Sequence, residues 1–243
     1  MYRILNKIVY VAFYYVYIFF EFLYDKSKSV KEHFSSLKRN ITPLVTVEKN
    51  GFQNLTKRPN HITFIIDESP SYVDLANLVI WCMTARISFV SFYDHRGILK
   101  KHEEKLEQEV NKRKQTTDHI FWHNNRNSDF KNGFSGRKVH VKILTGEDGK
   151  KNVQSVCKQI ISKNKPYSEI TIDYVNEYLR EQYEFPDPDV GIIFSKIFML
   201  FNYPPWQIRL TEFHRLKSHY NISFNDFVDV LIKFSKCNQR IGT

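Results

Sequence analysis

A chain of 243 residues with 15% aromatic side chains is long enough to bury a sizeable core, and this composition excludes wholesale disorder. Its formal net charge of +10 and pI near 9.3 suit an anionic partner, whether phosphorylated substrate, acidic membrane surface or nucleic acid, without separating these. Three widely spaced cysteines, Cys82, Cys157 and Cys237, argue against a disulfide framework or a zinc site and for a reducing compartment.

Arg3 and Lys7 precede IVYVAFYYVYIFFEFLY, residues 8–24, interrupted only by Glu21. As a helix this run would be about 26 Å long, just short of a bilayer core. No small-residue cleavage site follows it, and its tyrosines favour the membrane interface. Residues 1–24 are therefore expected to anchor the chain in a membrane; cationic residues on both flanks leave the orientation open. Residues 25–60 are polar and lysine-rich, broken by Pro43 and Pro59, and read as a tether with room for a short helix over residues 30–37.

The character changes at His61. HITFIID has the pattern of a buried strand. Ser69 or Ser71 can then cap a helix through YVDLANLVIWCMTA, with Val73, Ala76, Ile80 and Met83 at helical spacing. ISFVSFYD, residues 87–94, is a second strand, and strand–helix–strand over so short a span implies parallel pairing. The charged stretch from Lys100 predicts a helix exposed on most faces, and residues 115–137, rich in Asn, Ser and Gly, predict a mobile loop. VHVKIL and PDVGIIF are further strands. KKNVQSVCKQIISKN, ITIDYVNEYLR and NDFVDVLIKFSK are further helices. The alternation predicts one α/β domain over residues 61–243, a mostly parallel sheet flanked by helices.

In such a sheet, ligands bind beyond the carboxyl ends of the strands. Asp67 sits at one such end, and a carboxylate there can hold Mg²⁺ against a diphosphate. The residues that follow it, Glu68-Ser69-Pro70-Ser71, offer no glycine, no cation and a proline without an N–H, which is poor phosphate-cradling chemistry. Asp94-His95-Arg96 allows acid–base work or a plain loop hydrogen-bond network. No nucleophile triad stands out, and the basic residues are scattered without an aromatic–basic motif, so nucleic acid is not an expected partner.

DLANLVIWCMTARISFVSFYDHRGILK, KVHVKILTGEDGK, PDPDVGIIF, PPWQIRLTEFHRLKSHYNISFNDFVDVL and the terminal CNQRIGT resemble, in this order, the cis-prenyltransferases. The likeness is greatest to their non-catalytic branch, the Nogo-B receptor type of subunit of dehydrodolichyl diphosphate synthase. It spans the chain from about His61 and implies the undecaprenyl diphosphate synthase fold. Active members carry Asp-Gly-Asn-x-Arg-Trp after the first strand, where this chain has DESPSY. They also carry Arg-x-Gly-Gly and Arg-x-Ser clamps, where this chain has FSKIFMLFNYPPW without an arginine. Glu212 alone matches the acidic residue of the family's Trp-Gln…Glu stretch.

The resemblance thus implies a chain inactive alone, with Mg²⁺ expected in the site of a catalytic partner subunit. It further implies that the terminal Arg-x-Gly, Arg240 and Gly242, reaches into the partner to hold isopentenyl diphosphate. The family setting would be the endoplasmic reticulum membrane, with the globular part cytosolic, in dolichol synthesis for protein glycosylation. Trp206, Leu210 and Phe213, at i, i+4 and i+7, predict one face of a helix that serves either core or partner interface. Two rival readings remain: an active homodimeric enzyme, and a membrane receptor or scaffold without a role in prenyl transfer.

Overall fold

The computed structural model describes residues 10, 13–19, 52, 55–123, 136–164 and 166–237. The chain divides into two compact units, Met1–Thr46 and Val47–Thr243. In the first, residue 10 and residues 13–19 are helical, with Tyr10, Phe13 and Tyr15 largely exposed. Among the described residues no helix is long and apolar enough to cross a membrane. The short helix expected over residues 30–37 lies outside the described residues.

The second unit is built on a six-stranded sheet in the order β3-β4-β2-β1-β5-β6, parallel throughout. The strands are β1 (His61–Ile66), β2 (Phe89–Asp94), β3 (His119–Trp122), β4 (Lys138–Thr145), β5 (Val190–Phe194) and β6 (Glu212–Leu216). Every residue of β1 and β5 is buried, as a central parallel strand covered on both faces requires. Alternate residues serve opposite faces. Ile62, Phe64 and Ile66 join the larger core, whereas Ile65 meets Tyr93, Leu144 and Ile193 on the other side. Phe64 stacks between Phe92 and Phe194, with ring centroids 5.3 and 6.0 Å away, so three adjacent strands share one aromatic layer.

Helix α1 (Tyr72–Thr84) buries Leu75 through Met83 against the larger core, and its N-cap is Ser71. The Ser71 hydroxyl donates to Asp74 Oδ2 at 2.6 Å and does not accept from the helix backbone. The charged stretch from Lys100 is less exposed than its composition predicts. It forms two short helices, α2 (Ile98–Lys101) and α3 (Glu103–Asn111), on which Leu99, Leu106 and Val110 are fully buried. Three apolar residues at suitable spacing are enough to seat an otherwise polar helix. Helices α4 (Lys150–Ser162) and α5 (Ile172–Tyr183) pack through Val156, Ile160 and Leu179. A Ser223–Asp226 capping box starts α6 (Phe224–Lys236), which buries Phe227, Leu231 and Phe234. Phe52 is also buried, edge-on to Phe224 and Phe227, so the chain joins the core before β1 begins.

Two elements correct the sequence reading. Residues 119–122, inside the expected loop, form edge strand β3, pairing His119 with Lys138 through Trp122 with Val141. Arg137 holds its start, donating from Nε and Nη2 to the Asp118 carboxylate at 2.8 and 2.7 Å and from Nη1 to Thr84 at 2.7 Å. The remainder of that expected loop, residues 124–135, lies outside the described residues. Nor do Trp206, Leu210 and Phe213 share a helix. Residues 205–207 make one 3₁₀ turn after Pro204, and Phe213 lies in β6, paired with Gly191. The Phe213 ring covers Gly191 so closely that a Cβ there would sit 2.3 Å from it. Pairing with β5 thus overrides the helical spacing.

One buried polar residue makes stability pH-dependent. His61 is inaccessible to solvent, with Nδ1 2.6 Å from the Pro186 carbonyl oxygen and Nε2 2.9 Å from Ser91 Oγ. The carbonyl can only accept, so Nδ1 carries the proton and Nε2 accepts from the hydroxyl. Burial, against the Pro186 bond and aided by Lys142, pushes the imidazole pKa down to about 4. The unfolded chain therefore binds this proton first as pH falls. His61's contribution is fully present above about pH 6.5 and is lost towards pH 4, a change of about 3 kcal/mol. Burial lowers His123, His140 and His214 in the same direction. Urea midpoints measured from pH 7 to 4 are expected to fall, and His61→Asn to flatten the slope; an unchanged slope would contradict this assignment.

Candidate functional site

The chain passes from β1 outward to β2, but β5 lies on the opposite side of β1 and leads on to β6. The crevice between the carboxyl ends of β1 and β5 is therefore the topological switch point, where a sheet of this kind holds its ligand. Asp67 and Ser195 meet there. The Asp67 N–H donates to the Phe194 carbonyl at 3.3 Å, and Ser195 Oγ donates to Asp67 Oδ2 at 3.0 Å. The rest of the 67–71 loop is bound by the segment after β6. Ser218 Oγ donates to Glu68 Oε2 at 2.8 Å, and the Tyr220 hydroxyl to the Ser69 carbonyl at 2.6 Å. The Ser71 N–H donates to His219 Nε2 at 3.0 Å. His219 is fully buried, edge-on to Phe194 and against Tyr220.

The polar groups of this loop are met by the protein's own side chains. The N-cap amide of α1, which a phosphate would seek, already binds an imidazole, and the two carboxylates of the loop accept from serine hydroxyls. An incoming diphosphate would meet two acids and Pro70. Among the described residues no group of three or more His, Cys, Asp or Glu is placed to hold a metal ion.

Asp94 is a turn anchor. Fully buried, it accepts from the N–H groups of Arg96 and Leu99 at 3.0 Å each, while the His95 ring stacks on Phe201 at 5.2 Å. The Asp-His-Arg triplet is thus a loop network, in which Arg96 Nε also lies 3.6 Å from Asp94 Oδ1. Glu212 opens β6, with Oε1 2.9 Å from His214 Nε2. Arg240 and Gly242 lie outside the described residues.

A second feature lies at the amino-terminal ends of β5 and β6. Helix α5 and residues 205–210 enclose a cleft of about 480 Å³, lined among others by Ile172, Arg180, Asp187, Trp206, Arg209 and Leu210. Ile172, Trp206 and Leu210 are 72, 38 and 42% exposed, a large share for side chains of this kind. Trp206 Nε1 donates to Asn176 Oδ1 at 2.5 Å, which fixes the indole on α5. Desolvation raises the Asp187 carboxyl pKa, opposed by Arg180 and Arg209. Trp206 and Leu210 both line the cleft, though not on a shared helix, whereas Phe213 does not line it and packs with the smaller core cluster. The cleft's charged members went unread because Arg180, Asp187 and Arg209 belong to three segments with no shared motif.

The fold is that of the prenyl diphosphate synthases. Lavandulyl diphosphate synthase from Lavandula x intermedia, solved with dimethylallyl diphosphate, superposes with a TM-score of 0.56 at 14% identity, covering 75% of this chain and 98% of that one. A probable undecaprenyl diphosphate synthase from Campylobacter jejuni gives 0.54 at 14%, covering 76% and 98%. No protein-family model matches the chain.

Sequence relatives are more specific. The chain is 34% identical over 205 residues to human dehydrodolichyl diphosphate synthase complex subunit NUS1 and 33% over 203 residues to the mouse protein. These alignments cover 78% of this chain and 69 and 68% of the relatives. The fission yeast subunit, from Schizosaccharomyces pombe, is 26% identical over 212 residues, 78% of this chain and 79% of its own length. The chain belongs to the NUS1 family of dehydrodolichyl diphosphate synthase complex subunits.

Proposed function

We propose that this chain is the non-catalytic, membrane-anchored subunit of a heteromeric cis-prenyltransferase. The complex makes long-chain polyprenyl diphosphate for dolichol synthesis and protein glycosylation at the endoplasmic reticulum membrane, with the globular unit on the cytosolic side. The observation that carries the reading is the 67–71 loop, whose two carboxylates and α1 amide are satisfied by Ser195, Ser218 and His219. A diphosphate entering that crevice would break those bonds and meet negative charge. Each charge-assisted phosphate contact that is missing forgoes about 1.5–3 kcal/mol.

Chemistry belongs to the catalytic partner, where Mg²⁺ and cationic groups stabilise the departing diphosphate. This chain's part is geometric and electrostatic. Arg240 presents a guanidinium fork matched to phosphate oxygens, and Gly242 a backbone N–H without a side chain in the way; together they complete the partner's isopentenyl diphosphate site. The Trp206–Leu210 cleft is the partner-facing surface.

The purified chain, given Mg²⁺, farnesyl diphosphate and labelled isopentenyl diphosphate, is expected to form no product. Co-expression with a catalytic subunit is expected to yield long-chain product well beyond that of the catalytic subunit alone. Product from the chain alone would establish a self-sufficient enzyme. Equal product with and without the chain would make it a receptor or scaffold.

A further inference from the structure

Helix α6 ends without a glycine at its boundary. Its C-cap, Cys237, is extended at φ −78° and ψ 127°, so the carbonyls of the last turn have no left-handed turn to close on. The Cys237 N–H donates to the Phe234 carbonyl at 3.0 Å. The next carbonyl, that of Ser235, accepts from the Thr56 hydroxyl at 3.1 Å, across 179 positions of the chain. The helix end is thus capped by a residue from before β1.

Thr56 belongs to a short strap that grips α6 at two places. Phe52 is buried edge-on to Phe224 and Phe227 in the first turn, and its carbonyl accepts from Arg58 Nη2 at 3.4 Å. At the last turn, Lys57 Nζ lies 4.5 Å from the centroid of the Phe234 ring, a cation near the negative end of the helix macrodipole. The Cys237 thiol bonds to the Glu212 carboxylate at the start of β6, which pushes the thiol pKa up, while Lys57 acts in the opposite direction. Three segments far apart in sequence therefore set the point at which the chain leaves α6. Phe52 serves the core, but Thr56 is exposed and Lys57 half-buried, where such contacts add little to the fold. Their effect falls on the last turn.

We infer that Thr56 and Lys57 are positioning residues for the C-terminal tail: they fix the last turn of α6, so that Arg240, three positions after Cys237, starts from a defined place. The inference rests on the role proposed above for Arg240 and adds residues that act through it. Unwinding the last turn from Phe234 would lengthen the free stretch up to Arg240 from about three residues to about seven. The local concentration of a tethered group falls roughly as the −3/2 power of tether length, which is about three- to fourfold here.

The test uses the full chain, assembled with its catalytic subunit and carrying Thr56→Val and Lys57→Gln. KM for isopentenyl diphosphate is expected to rise about three- to fourfold, with KM for the allylic substrate and the association of the subunits unchanged. A merely structural role would lower the active fraction, and so kcat, without moving one KM alone. Thr56→Ser keeps the hydroxyl and should hold the wild-type value. Thr56→Val alone, which is nearly isosteric, should give about a twofold rise and carries the comparison if the pair fails to assemble. In an Arg240→Ala background the pair should add nothing, because the group it places is gone. An unchanged KM in the strap variants, beside a raised one in Arg240→Ala, would overturn the inference and leave the tail's role standing. An equal further rise in the Arg240→Ala background would overturn it too, by showing a route that bypasses the tail. Wild-type constants in Arg240→Ala itself would remove the tail's role and this inference together.

Discussion

Arg240→Ala is expected to leave the heteromer assembled while lowering isopentenyl transfer at least a hundredfold, since a bidentate guanidinium–phosphate contact is worth about 3 kcal/mol or more. The residue lies three positions before the end of the sequence, beyond the last residue of α6. Its removal therefore costs the fold none of the packing described above. Because the contact is proposed to hold the second diphosphate, KM for isopentenyl diphosphate should rise together with a fall in kcat, and KM for the allylic substrate should move little. Arg240→Lys should recover only part of the loss, because an ammonium supplies charge without the fork. Steady-state kinetics on purified heteromer decide the matter, and wild-type constants in Arg240→Ala would remove the tail from the mechanism.

The second large effect is expected on assembly. Trp206→Ala combined with Leu210→Asp should weaken the heteromer on the order of a hundredfold, because buried aromatic and aliphatic anchors at interface centres each carry about 2 kcal/mol or more. Both side chains are too exposed in the isolated chain to hold up its core, so its thermal midpoint should stay within a few degrees of wild type. That contrast, an intact subunit with lost association, is read by melting curves beside light scattering or sedimentation of the mixed subunits. Undiminished association would direct attention to another surface.

Much of the fold was legible along the chain because its elements are driven by local patterns. HITFII and VGIIF are uniformly apolar or β-branched, as strands covered on both faces must be, and the structure buries every residue in them. The stripe on α1 is likewise carried by residues three or four apart. β3 escaped because HIFW is only four residues long and stands between polar stretches on both sides. β6 escaped because EFHRL is also half buried, and Trp206 and Phe213 happen to stand at helical spacing around it.

By itself the sequence determined that the chain is a basic α/β protein with an aromatic N-terminal run, and that the loop after its first strand lacks the glycine and cations that grip phosphate. Those are properties of composition and of neighbours in the chain. Only the tertiary structure decided what fills that loop instead. Asp67 meets Ser195 across 128 positions and Ser71 meets His219 across 148, pairings that exist only once β5 and β6 are laid beside β1. The same sheet order gathers Arg180, Asp187, Trp206 and Arg209 around one cleft and turns Ile197, Phe198 and Met199 out to solvent. A short polar or apolar stretch has no preferred partner until packing of the central strands sets which groups come within reach, and that packing is a property of the whole domain.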